Sequence, residues 1–419
     1  MAQRGIREYD GKRMLFTALS ERFPSFEDRA RKLALVTPET KESELLAEHP
    51  WLKKEKLVVK PDQLFGKRGK HGLVCLNADW KAAWAWIRAR MQKSATVGKT
   101  EGTLTHFLIE PFTPHADDEE YYVAFKAEKE HDVVYFSTKG GIYVEEHWDK
   151  VLETRVPVLE EPGSFTMKLP VAAKRQEATL ELLRGLHRLF AEGHFTYLEI
   201  NPFTFAGDEP VPLDLVAKVD DTGAFECRKL WAGLEFPAAF GSSSRPEEAF
   251  IKSLDEKSGS SLKLTILNPE GRVWLMVAGG GASVIYTDTV CDLGASKALA
   301  NYGEYSGNPT TDETCHYART ILDLMTRKKD AKGKVLLIGG GIANFTDVAK
   351  TFTGIIKALE EYKAKLVEHK VRIYVRRGGP NYKEGLERMR RLGTTLGVPI
   401  EVYGPETHMT KIVSMALKG

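Results

Sequence analysis

From Met1 to about Leu234, short β-rich runs (LVVKP, GLVCLN, HFLIEPF, EYYVAF, DVVYFS, FTYLEI) alternate with helical stretches such as ELLRGLHRLFAEG. This pattern predicts an α+β module. The stretch EFPAAFGSSSRPEEAF, Glu235 to Phe250, concentrates Pro, Gly and Ser, which settle into neither helix nor strand. A boundary is placed there, with one domain expected over residues 1–243 and a second over 244–419. Beyond it RVWLMVAG, KVLLIGG, VRIYVRR and IEVYG each lead through a Gly or Pro turn into a polar–apolar helix, the βαβα order of a parallel doubly wound sheet. Ligands of such sheets sit at the carboxyl ends of the strands, so the turns after these runs are expected to converge.

Composition narrows the ligand class. At 419 residues the chain is long for one core, which agrees with two domains. Lys plus Arg total 60 against 58 for Asp plus Glu, so no long-range field favours nucleic acid or an anionic membrane, and a small ligand is expected. The four cysteines lie far apart, with neither zinc-type pairs nor the density of a disulfide scaffold, which predicts a reduced, cytoplasmic setting. The first residues, MAQRGIREYDGKRMLF, contain no signal-type apolar core, and no later stretch approaches the ~20 apolar residues of a membrane span, so a soluble protein is expected. Heptads, low-complexity tracts and short-period repeats are absent from the sequence.

Three segments of the first half carry candidate chemistry. LVVKPD, Leu57–Asp62, puts Lys60 at the end of a β-rich run, ahead of the basic loop Gly66–Gly72. Glycines let backbone N–H groups approach anionic oxygens while Lys and Arg supply charge, so this loop is a candidate cover for phosphates; a solvated turn is the commoner use of such a hairpin. In FLIEPF, Phe107–Phe112, Glu110 interrupts an apolar run just before proline. It reads either as a hinge contact for adenine or as an exposed acid on an edge strand. YLEINP and PLDL flank Gly207–Asp208 and predict a hairpin in which the Asn201 amide oxygen and the Asp214 carboxylate face one cleft. Mg²⁺ commonly takes one or two protein oxygens, the rest coming from phosphates and water.

The second half offers an anion site. GGGIANFT, Gly339–Thr346, follows the run KVLLI and opens the amphipathic stretch DVAKTFTGIIKALEEY. A helix N-terminus presents unpaired N–H groups to an anion, although Asn344 or Thr346 as an ordinary N-cap explains the residues equally. The glycines match neither G-x-G-x-x-G nor a P-loop, which disfavours dinucleotide binding and Walker-type chemistry. RRGGPNY, Arg376–Tyr382, then places a guanidinium where parallel-sheet ligands bind, and Arg holds a carboxylate through two parallel hydrogen bonds. Adjacent strand residues face opposite ways, so one arginine of the two is expected to serve a ligand, and Arg377 is chosen over the alternative of a surface ion pair.

In this order the first-half segments resemble an ATP-grasp domain of the succinyl-CoA synthetase superfamily, and VVKPDQL, KRGK, IEPF and YLEINP resemble the ATP-citrate lyase family. GGGIANFTDVA and RRGGPNY, preceded by LNPEGRVWLMVAGGGASVIYTD and GEYSGNP, are similar to that family's citrate-binding domain and extend the likeness over essentially the whole chain. The resemblance implies an α/β protein with an N-terminal ATP-grasp (α+β) domain, followed by a doubly wound, flavodoxin/Rossmann-like parallel sheet of CoA-ligase type. It implies that Lys60, Arg68 and Gly69 contact ATP phosphates, that Pro111, Thr113 and Glu120 line the nucleotide pocket, and that Asn201 and Asp214 hold Mg²⁺. Asp255, Ser258 and Ser260, in DEKSGSS, are implied near a further metal position. Citrate contacts are implied at Gly307, Asn344, Phe345, Thr346, Tyr362 and Arg377; Tyr362, in the helix tail EEYKAKL, has an exposed aromatic as its alternative reading.

The superfamily passes phosphate from ATP to a histidine within a Gly-His-Ala-Gly-like sequence, and none occurs here. His316 and His369, in charged helix-like contexts, read as solvated. His408 lies in GPETHMT, Gly404–Thr410, read as the first turn of the last helix, and in the superfamily such a helix directs its N-terminus at the phosphohistidine. Glu406 in that turn repels phosphate when ionised and is expected instead to orient the histidine ring. The resemblance therefore implies a hetero-oligomer that converts ATP, citrate and CoA to acetyl-CoA, oxaloacetate, ADP and phosphate. This chain would bind Mg-ATP and citrate, and a second subunit would carry the phosphohistidine, most CoA contacts and a citrate-synthase-like cleaving module. The end of the chain at MALKG favours the split form. Alternatives are the large subunit of citryl-CoA synthetase and a succinyl-CoA synthetase β subunit. A nucleotide-sensing subunit without catalysis is opposed by the co-occurrence of phosphate, Mg²⁺ and polyacid motifs.

Overall fold

Strands that are apolar on one face need cover on that face, and in the first half of the chain helices supply it. The computed structural model describes residues 3–241 and 245–418, apart from the side chains of residues 142, 143 and 145. It comprises two compact units, Met1–Ser243 and Ser244–Gly419. In the first, the strands Gln3–Ile6, Leu215–Asp220, Phe195–Ala206, Tyr121–Ala127, His131–Ser137 and Leu152–Pro157 lie side by side in that order, with Glu209–Pro212 paired beside Phe195–Ala206. Every ladder among them is antiparallel. The helices Glu8–Leu19 and Ala173–Glu192 bury Leu15, Phe16, Leu182, Leu186 and Phe190 in one core with Phe125, Leu198 and Ile200 of the sheet. Each such side chain contributes about 2 kcal/mol through the water it no longer orders.

A second antiparallel sheet of the same unit runs Ala34–Val36, Phe107–Pro111, Leu57–Pro61, Cys75–Ala78. The helix Trp80–Arg90, capped by the Asp79 carboxylate on Ala82 N–H, packs Ala83 and Ile87 into its core. FLIEPF thus occupies a central strand, and Glu110 is buried rather than an exposed edge acid.

The second unit contains one six-stranded sheet in the order Ser261–Ile266, Asn301–Ser306, Val273–Ala278, Val335–Gly340, Arg372–Arg376, Ile400–Tyr403. All of it is parallel except the first pair. The two strands absent from the sequence reading, SLKLTI and NYGEYS, alternate buried with half-exposed or exposed positions, whereas Val273–Ala278 and Val335–Gly340 are buried throughout. Continuous burial is what helices on both faces of a parallel sheet require. The helix Val348–Glu361 presents Val348, Phe352, Ile355 and Leu359 to the core at helical spacing.

Two expectations about the second unit are corrected. The last helix spans Lys411–Lys418 and does not start near Glu406. The Glu406 carboxylate accepts the Gly404 N–H at 2.9 Å and His408 Nδ1 lies 2.9 Å from Thr410 Oγ1, local side-chain bonds that hold Gly404–Thr410 as turns. His369, read as solvated, is buried where the helix Lys363–Glu368 ends, and desolvation lowers its pKa. Among the described residues no helix is long and apolar enough to cross a membrane.

Candidate functional site

The first unit holds a cavity of about 440 Å³ lined by Lys60, Arg68, Gly69, Pro111, Thr113, Glu120, Asn201 and Asp214, all eight residues that the resemblance assigns to nucleotide or Mg²⁺. The expected hairpin brings two of them together: Asn201 N–H donates to the Asp214 carbonyl at 3.1 Å, so both side chains reach the same wall. Asn201 Oδ1 accepts from Gly141 N–H at 2.7 Å, and the Asp214 carboxylate is paired with Arg68. Gly141 has a φ of +67°, and a Cβ there would lie 2.0 Å from Glu120 Oε2, so a glycine is required beside that acid. Glu120 is raised above the ordinary carboxylate range by burial, against the opposing pull of His115 at 3.3 Å.

Lys60 and Arg68 are embedded in the wall, each about 5% exposed or less. Lys60 Nζ reaches Glu8 at 2.6 Å, Glu110 at 2.9 Å and the Leu213 carbonyl at 2.5 Å. Arg68 Nη2 reaches Glu8 at 2.6 Å and also Asp214. Burial alone would depress the Lys60 ammonium, but Glu110 and Glu8 outweigh it and hold the group charged. Burial would likewise raise Glu8, but Lys12, Lys60 and Arg68 hold it well below the usual carboxylate range. Glu110 therefore faces the cations with its side chain.

Three residues of this site escaped the sequence reading. Lys12 and Glu8 lie on the helix Glu8–Leu19, Lys12 making 2.9 Å and 2.7 Å bonds to the two oxygens of Glu110. Their signal was available: a lysine four residues before Phe16 occupies the buried stripe of that helix, with an acid four residues before it. Arg29 also lines the cavity, with a buried Nε that has no partner, and burial lowers its pKa. It lies in a polar run, SFEDRAR, where nothing local marks it.

In the second unit the turns at the carboxyl ends of the parallel strands converge. Ala343 N–H donates to the Gly378 carbonyl at 2.9 Å, Asn381 Nδ2 to Asp347 Oδ2 at 2.8 Å, and Asp347 N–H to Asn308 Oδ1 at 3.3 Å. These bonds gather Gly307, Asn344–Thr346 and Arg377. Asn308 was not anticipated, although Gly-Asn-Pro is a turn signal in the sequence. Asp347, not Asn344 or Thr346, caps the helix, through its carboxylate on Lys350 N–H. Asn344 and Phe345 are exposed and Thr346 is buried.

The two arginines differ in a way that separates structure from recognition. Arg376 donates to three carbonyls, Thr407 at 2.8 Å, Gly340 at 2.9 Å and Pro405 at 3.2 Å. Arg377, 3% exposed, donates to the Gly341 carbonyl at 2.9 Å, and its Nε is buried without a partner. Burial lowers its pKa; the charged or phenolic groups near it are Tyr305, Tyr286 and Arg376, with no carboxylate among them. Gly340 makes room for this guanidinium, since a Cβ there would stand 2.7 Å from Nη1. A buried cation without a counter-ion is costly unless an anion arrives.

Some expected members are not gathered. Tyr362 ends the helix Val348–Glu361, whose 14 residues put it about 20 Å from the Asn344–Thr346 loop, and it packs half-buried against the core with Lys365 over its ring. It cannot share a carboxylate site with that loop. The Asp255 carboxylate is turned to Leu262 N–H and to Lys263, while the Ser258 and Ser260 hydroxyls lie 2.5 Å apart and Ser260 faces Glu313. Ser260 backs onto Gly307, where a Cβ would lie 3.1 Å from the serine Cα. Among the described residues no cluster of three or more His, Cys, Asp or Glu side chains is arranged to hold a metal. The Glu406 carboxylate is exposed and is held below its ordinary pKa by its own and the Gly404 backbone N–H groups.

Comparison with known proteins bears on the whole chain. A family model described as the ATP-citrate synthase ATP-grasp domain matches residues 2–231, and one described as ATP citrate lyase citrate-binding matches residues 242–419. The ATP-citrate synthase of Bos taurus is 49% identical over 427 residues, which span 100% of this chain and 38% of that protein. The ATP-citrate synthase alpha chain protein 2 of Oryza sativa subsp. japonica is 48% identical and is covered over 99% of its length. The structure of ATP citrate lyase from Methanothrix soehngenii in complex with citrate and coenzyme A is similar with a TM-score of 0.90 and 56% identity, over 100% of both chains.

Proposed function

The chain belongs to the ATP-citrate lyase family, and we propose that it is the ATP- and citrate-binding subunit of a two-polypeptide enzyme converting ATP, citrate and CoA to acetyl-CoA, oxaloacetate, ADP and phosphate. The observation that carries this reading is Arg377, a buried guanidinium without a carboxylate partner at the carboxyl ends of a parallel sheet. A citrate carboxylate supplies the missing counter-ion, with Asn344, Phe345, Thr346 and Gly307 forming the surrounding turns. Tyr362 is not part of that contact set.

In the first unit Lys60, Arg68 and Gly69 meet the phosphates, while Pro111, Thr113 and Glu120 line the remaining nucleotide pocket. Lys12, Lys60 and Arg68 are matched by Glu8, Glu110 and Asp214, and Arg29, Lys67 and Lys70 add further positive charge to the cavity lining. Asn201 and Asp214, on the same wall, would hold Mg²⁺, which neutralises phosphate charge when bound. The protein's own work is to position two anions and exclude alternatives. The γ-phosphoryl group passes to a histidine of the partner, releasing ADP, and then to a citrate carboxylate. CoA thiolate displaces the phosphate, and the partner cleaves the resulting citryl-CoA. Glu406, exposed in the Gly404–Thr410 turn, orients the partner's histidine. The free thiols Cys75, Cys227, Cys291 and Cys315 suit the reducing cytoplasm.

The test is to incubate the purified chain with γ-labelled ATP, with and without its partner, and to locate acid-labile label. Label on the partner alone, reduced by Glu406→Gln, supports the scheme. Stable label on this chain, or CoA-dependent citrate consumption without a partner, overturns it. Accumulation of citryl-CoA without oxaloacetate would identify a citryl-CoA synthetase instead.

A further inference from the structure

We propose that Glu8 is a positioning residue of the nucleotide site, holding Lys60 and Arg68 toward the phosphates from behind the cavity wall. The proposal rests on the reading of that cavity as the ATP site and extends it to a residue outside the lining. Lys60, Arg68, Glu110 and Asp214 face the cavity, whereas Glu8, Lys12 and Asp62 do not. Glu8 is 3% exposed, and its two oxygens are divided between the cations: Oε1 lies 2.6 Å from Lys60 Nζ and 2.9 Å from Lys12 Nζ, and Oε2 lies 2.6 Å from Arg68 Nη2.

The support behind Glu8 is itself fixed. Asp62, on the segment that carries Lys60, accepts the Glu8 N–H at 2.7 Å and the Tyr9 N–H at 2.9 Å, tying the start of the helix Glu8–Leu19 to the strand Leu57–Pro61. One acid thus fixes the separation of two cations that come from a strand and from the glycine-containing loop eight residues later in sequence. A lysine ammonium on a four-carbon stem has many rotamers, and a guanidinium grips phosphate only in the correct plane, so a rigid anion shared by both defines their spacing.

Calorimetric titration of the full chain with Mg-ATP, adenosine and citrate tests this. Glu8→Gln keeps the shape and removes the charge. The dissociation constant for Mg-ATP is expected to rise at least tenfold while those for adenosine and citrate stay within twofold, because only phosphate recognition uses the two cations. Equal weakening of ATP and adenosine would mark a merely structural role, and a folded variant whose Mg-ATP constant moves less than threefold would also overturn the proposal. If the single variant does not fold, Glu8→Gln with Lys12→Met removes one buried cation and one anion together and keeps the charge balance. The same selective loss is then expected, and wild-type Mg-ATP affinity in that variant refutes the idea. If the unaltered chain binds no Mg-ATP, the nucleotide reading fails and takes the proposal with it. A wild type that binds beside a variant that binds equally sinks Glu8 alone.

Discussion

Replacing Arg377 by methionine tests the second unit through stability and binding at once. The guanidinium is buried, makes one bond to the Gly341 carbonyl and leaves Nε without a partner. Losing that bond costs about 1 kcal/mol, whereas removing an unsatisfied buried donor relieves about 1–3 kcal/mol. Methionine fills a similar channel without a charge to desolvate. The ligand-free variant is therefore expected to gain about 1 kcal/mol, or roughly 2–4 °C for a unit of this size. Citrate works in the opposite sense. At 100 times its dissociation constant it adds ~2.7 kcal/mol to the wild type, a rise of roughly 5–10 °C, and that rise is expected to vanish in the variant. Differential scanning calorimetry with and without citrate reads both numbers. A ligand-free variant melting several degrees below wild type would make Arg377 a structural residue, and a retained citrate shift would move the site elsewhere. Arg377→Lys should also lose most of the shift, since an ammonium cannot form the planar two-bond grip.

Asp214→Asn is expected to slow phosphorylation of the partner by Mg-ATP while citrate calorimetry stays at wild-type values; a normal phosphorylation rate would discard the metal assignment. Asp62 is pushed up to about 6, by burial first and Glu8 next, so the folded chain binds a proton that the unfolded chain, with Asp near its ordinary ~3.9, has already lost. The folded state thus holds more protons in that window, and stability falls as pH rises through it. Between pH 5 and 7 the wild type should lose about 1 kcal/mol relative to Asp62→Asn in chemical denaturation, and a rising or flat difference would contradict the assignment. Leu337→Ala empties a fully buried position in the core beneath the parallel sheet and should cost about 2–5 kcal/mol, while a loss under about 1 kcal/mol would mean that this strand is not central.

Local periodicity was enough to find much of the scaffold. The apolar runs VWLMVA and VLLIGG can be buried on both sides only in a parallel sheet, and the spacing of Val348, Phe352, Ile355 and Leu359 admits little but a helix. The same holds for the hairpin that brings Asn201 beside Asp214, because its partners are separated by one short turn. Strands with polar alternate positions, SLKLTI and NYGEYS, carried too weak a signal, and the last helix was placed too early because Glu406 and His408 spend their side chains on neighbouring groups.

What only the tertiary structure decided is which polar groups meet. Helical spacing puts Glu8 and Lys12 on the buried stripe of one helix, yet their charged partners on other elements lie 52 to 98 positions away and are brought in by tertiary packing. Glu110 acquired two buried ammonium partners because its strand is central, a fact of sheet order rather than of the residues around it. Tyr362 and the Asn344–Thr346 loop are close in sequence and far apart in space because a straight helix lies between them. Adjacent arginines diverged as well: Arg376, the last residue of its strand, reaches three carbonyls, whereas Arg377, just beyond the strand end, is left with a charge unanswered. Side-chain type and spacing specify which elements form, because those depend on neighbours within a few residues; the pairing of buried charges depends on long-range topology, where no local pattern carries the information.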